Sequence, residues 1–287
     1  MDSNRIIKYA GWSILFIGLS SISFYFYPDK WLFSDFIYAF YANVSTELIS
    51  IGITILIIDQ LYKNQDEKEL KTRLIWDMGS MDQAHSLRAI KELKFRNWLY
   101  DGTLENQDFT LANLEDAEVE NAKLKEANFT KANLVKANFQ NATLNKCNFS
   151  ESILFECQLQ EAKLQNAKLI KSQMRLAVLS RADLGTADLL GAYLVTAEIR
   201  NANLQHATLE EANLEDADLT HSDLSHANLM RTNLRGANLN NTNLSRANLN
   251  GIRNWEQIRN IENANISGVI QPPEGFIDWA LENGATT

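Results

Sequence analysis

The sequence predicts an all-β solenoid behind a helical, membrane-inserting N-terminus. Three observations carry this. Every fifth residue from Leu104 to Leu249 is Leu, Phe, Val, Met or Ile; a small residue, usually Ala, stands two positions before all of these but Phe109; and two long apolar stretches precede the array. A period of five fits neither the 3.6-residue turn of an α-helix nor the two-residue alternation of a strand. The backbone must therefore return to the same inward orientation once per unit, as a solenoid does.

The first apolar stretch, Tyr9 to Tyr27, runs without a charged residue, with Trp12, Tyr25 and Tyr27 suited to the interfaces. At 1.5 Å per residue it is long enough to span a bilayer core. No A-x-A-like cleavage site follows Tyr27, so it reads as an anchor and not as a cleaved signal. The second stretch starts near Phe36 and is strongest over Leu48–Ile58, between Glu47 and Asp59. The connector, Pro28 to Asp35, is short, and a two-pass transmembrane hairpin is the expected arrangement.

Arg5 and Lys8 precede the first span; Lys63, Lys68, Lys71 and Arg73 follow the second; the connector holds only Lys30. The positive-inside rule then places both flanks, and the repeats with them, in the cytoplasm. Asn43, Glu47, Ser50 and Thr54 recur at helical spacing and form a polar stripe within the membrane segment. The stripe is expected to pack on Ser13, Ser20 and Ser23 of the first helix or on another copy, which makes the hairpin a candidate homo-oligomer contact. An ion or proton path through Glu47 is the sharper reading, because an intramembrane carboxylate is costly.

Residues 63–99 are charged, with apolar residues at helical spacing (Leu70, Leu74 and Met78, then Leu87, Ile90 and Trp98 after Gly79-Ser80), and predict two helices packing on the first coil of the repeats. A coiled-coil stalk is the alternative. The domain reading is 1–62 transmembrane hairpin, 63–100 helical linker and N-terminal cap, 101–250 repeat array, and 251–287 C-terminal helical cap. In the last, the phase breaks at Gly251, a short helix and one last repeat-like turn follow, and Trp255, Phe276 and Trp279 are expected to cover the open core end, with a helix over Glu274–Leu281.

Units such as Ala132-Asn133-Leu134 closely resemble the pentapeptide-repeat family. That resemblance implies a right-handed quadrilateral β-helix with four units per coil. Phe109, Phe129 and Phe149, twenty apart, would then stack as an interior ladder, with Phe139 opposite. The array makes seven to eight coils, a rod of roughly 35 Å at the usual spacing of strands. None of the three prolines falls inside it. Ser45-Thr46-Glu47-Leu48-Ile49, Asp59 and Met78-Gly79-Ser80 resemble a bacterial, especially cyanobacterial, subgroup with N-terminal transmembrane segments.

The formal net charge of −9 argues against a nucleic-acid binder, which needs surplus Lys and Arg. Nucleotide-binding glycine fingerprints and G-x-S-x-G elbows are absent, and no enzyme activity and no cofactor are expected. His206 and His226, twenty apart, are weak metal candidates, with His221 one corner away. Cys147 and Cys157, ten apart, occupy small-residue positions on opposite walls and suggest core filling.

Charge is banded. Ten Lys and Arg stand against four acids from Lys123 to Arg181; nine acids then stand against one Arg: Asp183, Asp188, Glu198, Glu210, Glu211, Glu215, Asp216, Asp218 and Asp223. Opposite bands suit an oppositely banded protein partner. The family resemblance adds an alternative, because some pentapeptide-repeat proteins mimic duplex DNA and bind topoisomerases. The expected function is a non-enzymatic protein-protein scaffold at the cytoplasmic membrane face; a regulatory subunit of a membrane transporter is the third reading.

Overall fold

The computed structural model describes residues 3–25 and 34–287, with side chains described from Tyr9 to Ile22 and from Ala42 onward. Tyr27 and Lys30 of the connecting segment, and the side chains of Arg5, Lys8, Ser23 and Tyr25, lie outside the described residues. The chain divides into two compact units, Met1–Thr72 and Arg73–Thr287.

In the first unit α1 (Ser3–Tyr25) lies against the N-terminal part of α2 (Ser34–Met78). Glycine makes the contact close: a Cβ on Gly52 would stand 2.9 Å from the Leu15 backbone nitrogen, and one on Gly18 would stand 2.9 Å from Ile49 Cγ1. The apolar side chains turn outward, Phe16 being 73% and Ile57 55% exposed. Among the described residues one helix, Ala42–Met78, is long and apolar enough to cross a membrane, and Tyr9–Ile22 is a shorter apolar helix. The boundary drawn at 62/63 falls inside α2, which continues without a break to Met78. No Gly or Pro separates the apolar half from the charged half, and i,i+4 pairs such as Asp59–Lys63 (2.7 Å) carry the helix across the change in composition.

In the second unit α3 (Gln83–Phe95), capped by Asp82 through the His85 N–H, buries Ala89, Ile90 and Leu93. Leu74, Met78, Trp98 and Leu99 are buried with them. This cap also serves the open edge of the array. Ser80 O accepts the Asn113 N–H at 2.8 Å, and Leu99 O accepts that of Lys123 at 2.8 Å, where a preceding coil would otherwise supply the acceptors.

Parallel bridges then join residues twenty apart, from Asp108↔Asn128 through to Asn233↔Arg253. Four five-residue units therefore make one coil, with sides named here after their first inward residues: Leu104, Phe109, Leu114 and Val119. The expectation of β-strands needs correction, because no extended strand forms among the described residues. One residue per unit pairs with each neighbouring coil before the chain turns, and that is too little for a strand.

The unit Ala132 to Lys136 shows why its residue types are used. The Ala132 N–H closes the turn on Phe129 O at 3.0 Å, and Asn133 donates to the coil before, at Ala112 O. Leu134 and Lys136 donate to the coil after, at Ile153 O and Phe155 O. The remaining N–H, that of Val135, bonds Asn133 Oδ1, while Asn133 Nδ2 donates to Asn113 Oδ1 one coil back at 3.0 Å. All five backbone donors are thus satisfied, and the Asn supplies both a turn and a rung. The Ala methyl and the Leu side chain fill the dry interior.

The corner residue of every unit from Asn106 to Gly251 adopts a left-handed conformation, and only Gly191, Gly236 and Gly251 among these are glycine. A left-handed non-glycine costs about 1–2 kcal/mol. The bond that each corner N–H from Asn106 to Arg246 makes to the next coil offsets that cost.

The array does not stop at 250. Bridges Asn238↔Asn260, Asn243↔Asn265 and Asn248↔Ile270 continue it at a spacing of twenty-two. Two extra residues are absorbed around a 3-10 turn, Trp255–Gln257, so Ile261 and Ile266 resume the inward positions out of the earlier phase. The terminal helix α4 (Phe276–Glu282) packs Phe276 and Trp279 against Trp255, with ring centroids 5.7 and 5.5 Å from it. Thr286 then pairs back on Asn265.

Candidate functional site

Because successive coils repeat every twenty residues, outward side chains twenty apart form columns up a side, and the columns define what the surface offers. His206 and His226 share the corner that follows the Leu104 side, with exposed rings stacked at 4.8 Å. His221 occupies the neighbouring corner. Among the described residues no three His, Cys, Asp or Glu side chains gather into a metal-binding group.

Cys147 and Cys157 are free thiols buried in opposite walls. Burial pushes the Cys147 thiol up to about 12 and raises that of Cys157 further, so neither forms a thiolate at neutral pH. Their Sγ atoms lie 2.9 Å from Leu124 O and 3.2 Å from Ala137 O.

The acidic band encircles the prism. Asp183 and Asp223 lie on the Leu104 side, Asp188, Glu210 and Glu211 on the Phe109 side, Glu215 and Asp216 on the Leu114 side, and Glu198 and Asp218 on the Val119 side. Arginines partly neutralise it: Arg200–Asp218 at 2.7 Å, Arg231–Glu211 at 3.3 Å and Arg235–Glu215 at 3.4 Å. In the basic band the corner lysines pair with acids one coil away, Lys131–Glu151 at 3.6 Å and Lys146–Glu126 at 3.3 Å. These pairs are exposed and individually weak.

Several acids serve the fold. Asp108 Oδ1 accepts from the Thr110 hydroxyl at 2.6 Å, the Thr110 N–H at 3.0 Å and Asn128 Nδ2 at 3.0 Å, which hold its carboxyl below the ordinary value. At Asp223 partial burial acts to raise the pKa, but bonds from the Ser225 N–H, Gln205 and Asn243 outweigh it and leave it lowered. Asp218 follows the same balance, with Thr220 and Arg200 as donors. A carboxylate with a lower pKa folded than unfolded stabilises the protein above its unfolded value, and this contribution disappears as pH falls through the folded one. The melting temperature is therefore expected to hold between pH 8 and 5 and to drop below about pH 4. Asp108→Asn with Asp223→Asn keeps the turn acceptors and should flatten that drop in a pH series of thermal melts.

On α2 the polar stripe Asn43, Glu47, Ser50 and Thr54 lies on the exposed side. The expected packing of this stripe on α1 is thus corrected: Ser45 and Gly52 occupy the buried side, and Ser13 is itself exposed. Helical geometry separates the two faces, and glycine, not hydroxyl, permits the close approach of α1. The Thr54 hydroxyl bonds back to Ser50 O at 2.8 Å.

One surface feature went unread in the sequence. On the Leu114 side the outward columns include Val135, Phe155 and Val195 in one register and Ile153 and Tyr193 in the other, with Leu176 at the adjoining corner. Ile153, Leu176 and Tyr193 are 37%, 38% and 45% exposed. The signal was apolar residues at multiples of twenty in positions that the repeat otherwise fills with polar ones.

Comparison with known proteins identifies the class. A family model described as pentapeptide repeats matches in eight copies, covering residues 112–151 and, in overlapping stretches, 157–251. The chain belongs to the pentapeptide-repeat family, whose members form right-handed quadrilateral β-helices and are generally non-catalytic structural or binding proteins.

Among solved structures it is similar to HetL, a pentapeptide-repeat protein involved in heterocyst differentiation regulation from the cyanobacterium Nostoc sp. strain PCC 7120. The identity is 27%, over 59% of this chain and 80% of that one, with a TM-score of 0.36. It is similar to Rfr23 from the cyanobacterium Cyanothece 51142 at 26% identity, over 42% of this chain and 85% of that one, with a TM-score of 0.27. It is also similar to QnrB1, a plasmid-mediated fluoroquinolone resistance protein, at 12% identity over 59% of this chain and 84% of that one, with a TM-score of 0.39. No curated protein matches the chain.

Proposed function

We propose that this pentapeptide-repeat protein is a two-pass, membrane-anchored scaffold whose β-helix, wound right-handed, binds protein partners at the cytoplasmic face without covalent chemistry. The observation that carries the reading is the construction of the first unit. Two apolar helices meet through glycines and turn Phe16, Ile17, Ile51 and Ile57 outward, an arrangement suited to lipid and costly in water. The excess of Lys and Arg in residues 63–73 over the connector supports a cytoplasmic repeat domain. Flat sides bearing ordered columns of side chains suit recognition spread over an extended surface.

Alkaline carbonate washing of membranes should leave the full-length protein in the pellet, whereas release into the supernatant would refute the anchor. The alternative of DNA mimicry is disfavoured by the circumferential acidic belt and its arginine pairs. Inhibition of gyrase supercoiling by the purified full-length protein would reinstate it.

A further inference from the structure

We infer that the Leu114 side of the β-helix is a self-association surface on which a second copy of the chain packs antiparallel, with the two-fold axis at the coil that carries Arg175 and Leu176. The inference rests on the reading of the β-helix as a binding surface and is independent of the membrane anchor.

Its basis is the order of residues up the columns. An antiparallel two-fold at that coil brings each residue opposite one whose number, added to its own, gives about twice that of the axis. Ile153 then meets Tyr193 of the second copy, Phe155 meets Val195, and Leu176 meets itself, so these apolar residues cover one another, while Val135 lies opposite Glu215. At the corners beyond this strip the same operation sets Lys131 against Glu211 and Lys136 against Asp216. The apolar centre and both charged ends thus match under a single operation.

Moving the axis half a coil in either direction loses this match, because acids at 115 and 116 then meet acids at 215 and 216, or Glu151 and Glu156 meet Glu211 and Asp216. The one like-charge conflict is at the axis, where Lys171 and Arg175 face their own symmetry mates. The Arg175 guanidinium lies over the Phe155 ring at 5.6 Å, one coil toward the N-terminus, so the two-fold carries its mate the opposite way. The matched face is seven coils long, about 29 Å at 4.8 Å per coil, and one prism side wide. A strip of that size, a few hundred Å² per copy, falls below the roughly 1,200 Å² total of stable specific interfaces, and the dimer is therefore weak and reversible.

The test uses full-length protein and a short bis-maleimide that reaches across the roughly 10 Å between stacked sheets. Leu176→Cys alone is expected to cross-link into dimers. Lys136→Cys and Asp216→Cys should each remain monomeric, and the variant carrying both should cross-link. Separately, Lys136→Asp should lower the dimer fraction several-fold in sedimentation, and adding Asp216→Lys should restore it. These are surface changes, and unchanged thermal melts confirm that the coils are intact. Failure of Leu176→Cys to link, linking by Lys136→Cys alone, or absence of charge-swap rescue would overturn the inference. Should the same side capture a different protein while the chain stays monomeric, the scaffold reading survives and the dimer does not.

Discussion

Phe129→Ala is expected to destabilise the β-helix by about 3–5 kcal/mol, the range for truncating a fully buried aromatic side chain. Phe129 is the middle ring of the interior ladder. Its centroid lies 5.2 Å from Phe109 and 5.0 Å from Phe149, and the Phe139 ring meets it edge-on at 5.9 Å. Removing it deprives three rings of a partner at once, and relaxation is blocked because the surrounding coils are fixed by bridges on all four sides. Phe129→Leu, which retains most of the volume, should cost well under half as much. Chemical denaturation followed by far-UV circular dichroism measures both. Because each coil contacts chiefly its neighbours, the alanine variant should also broaden the transition, with the N-terminal coils melting first. A loss below about 1 kcal/mol would mean that the ladder is not a close-packed core.

The interior was legible because an inward Leu or Phe every five residues calls for a solenoid, while the four-unit coil was implied by the family resemblance, with which the twenty-residue spacing of Phe109, Phe129 and Phe149 agrees. The corners were not legible. A left-handed residue ordinarily advertises itself as glycine, whereas here Lys136, Glu161 and Leu176 adopt that conformation under the force of bonds to the next coil. The end of the array was only partly legible, one repeat-like turn being expected beyond Gly251, for a related reason. The two-residue insertion near Trp255 shifts the phase while leaving the stacking intact, so a strict period reads a stop where the structure continues to Ile270. On α2, helical spacing correctly gathered Asn43, Glu47, Ser50 and Thr54 onto one face but carried no information about which face α1 would cover. That choice was made by Gly52, whose lack of a side chain lets the Leu15 backbone approach.

Gly52→Val should separate α1 from α2 where Gly52→Ala only loosens them. A Cβ at this position would lie 2.9 Å from the Leu15 nitrogen and 3.0 Å from its Cα. Both are backbone atoms of a helix interior and cannot swing aside as a flexible side chain would. Relief therefore requires the axes to move apart, undoing the fit at Gly18 against Ile49 and at Gly11 against Ile55. Overpacking of this kind typically costs about 1–3 kcal/mol, and the branched valine lies at the upper end. Cysteines placed at Gly11 and Ile55 would report the separation, with cross-linking in the otherwise unaltered chain and a several-fold loss with Gly52→Val. The β-helix, a separate compact unit, should keep its melting transition in the same variant. If cross-linking were unchanged, close glycine packing would not be what joins the hairpin. The proposed membrane anchor would then rest on the outward apolar surface of the two helices alone.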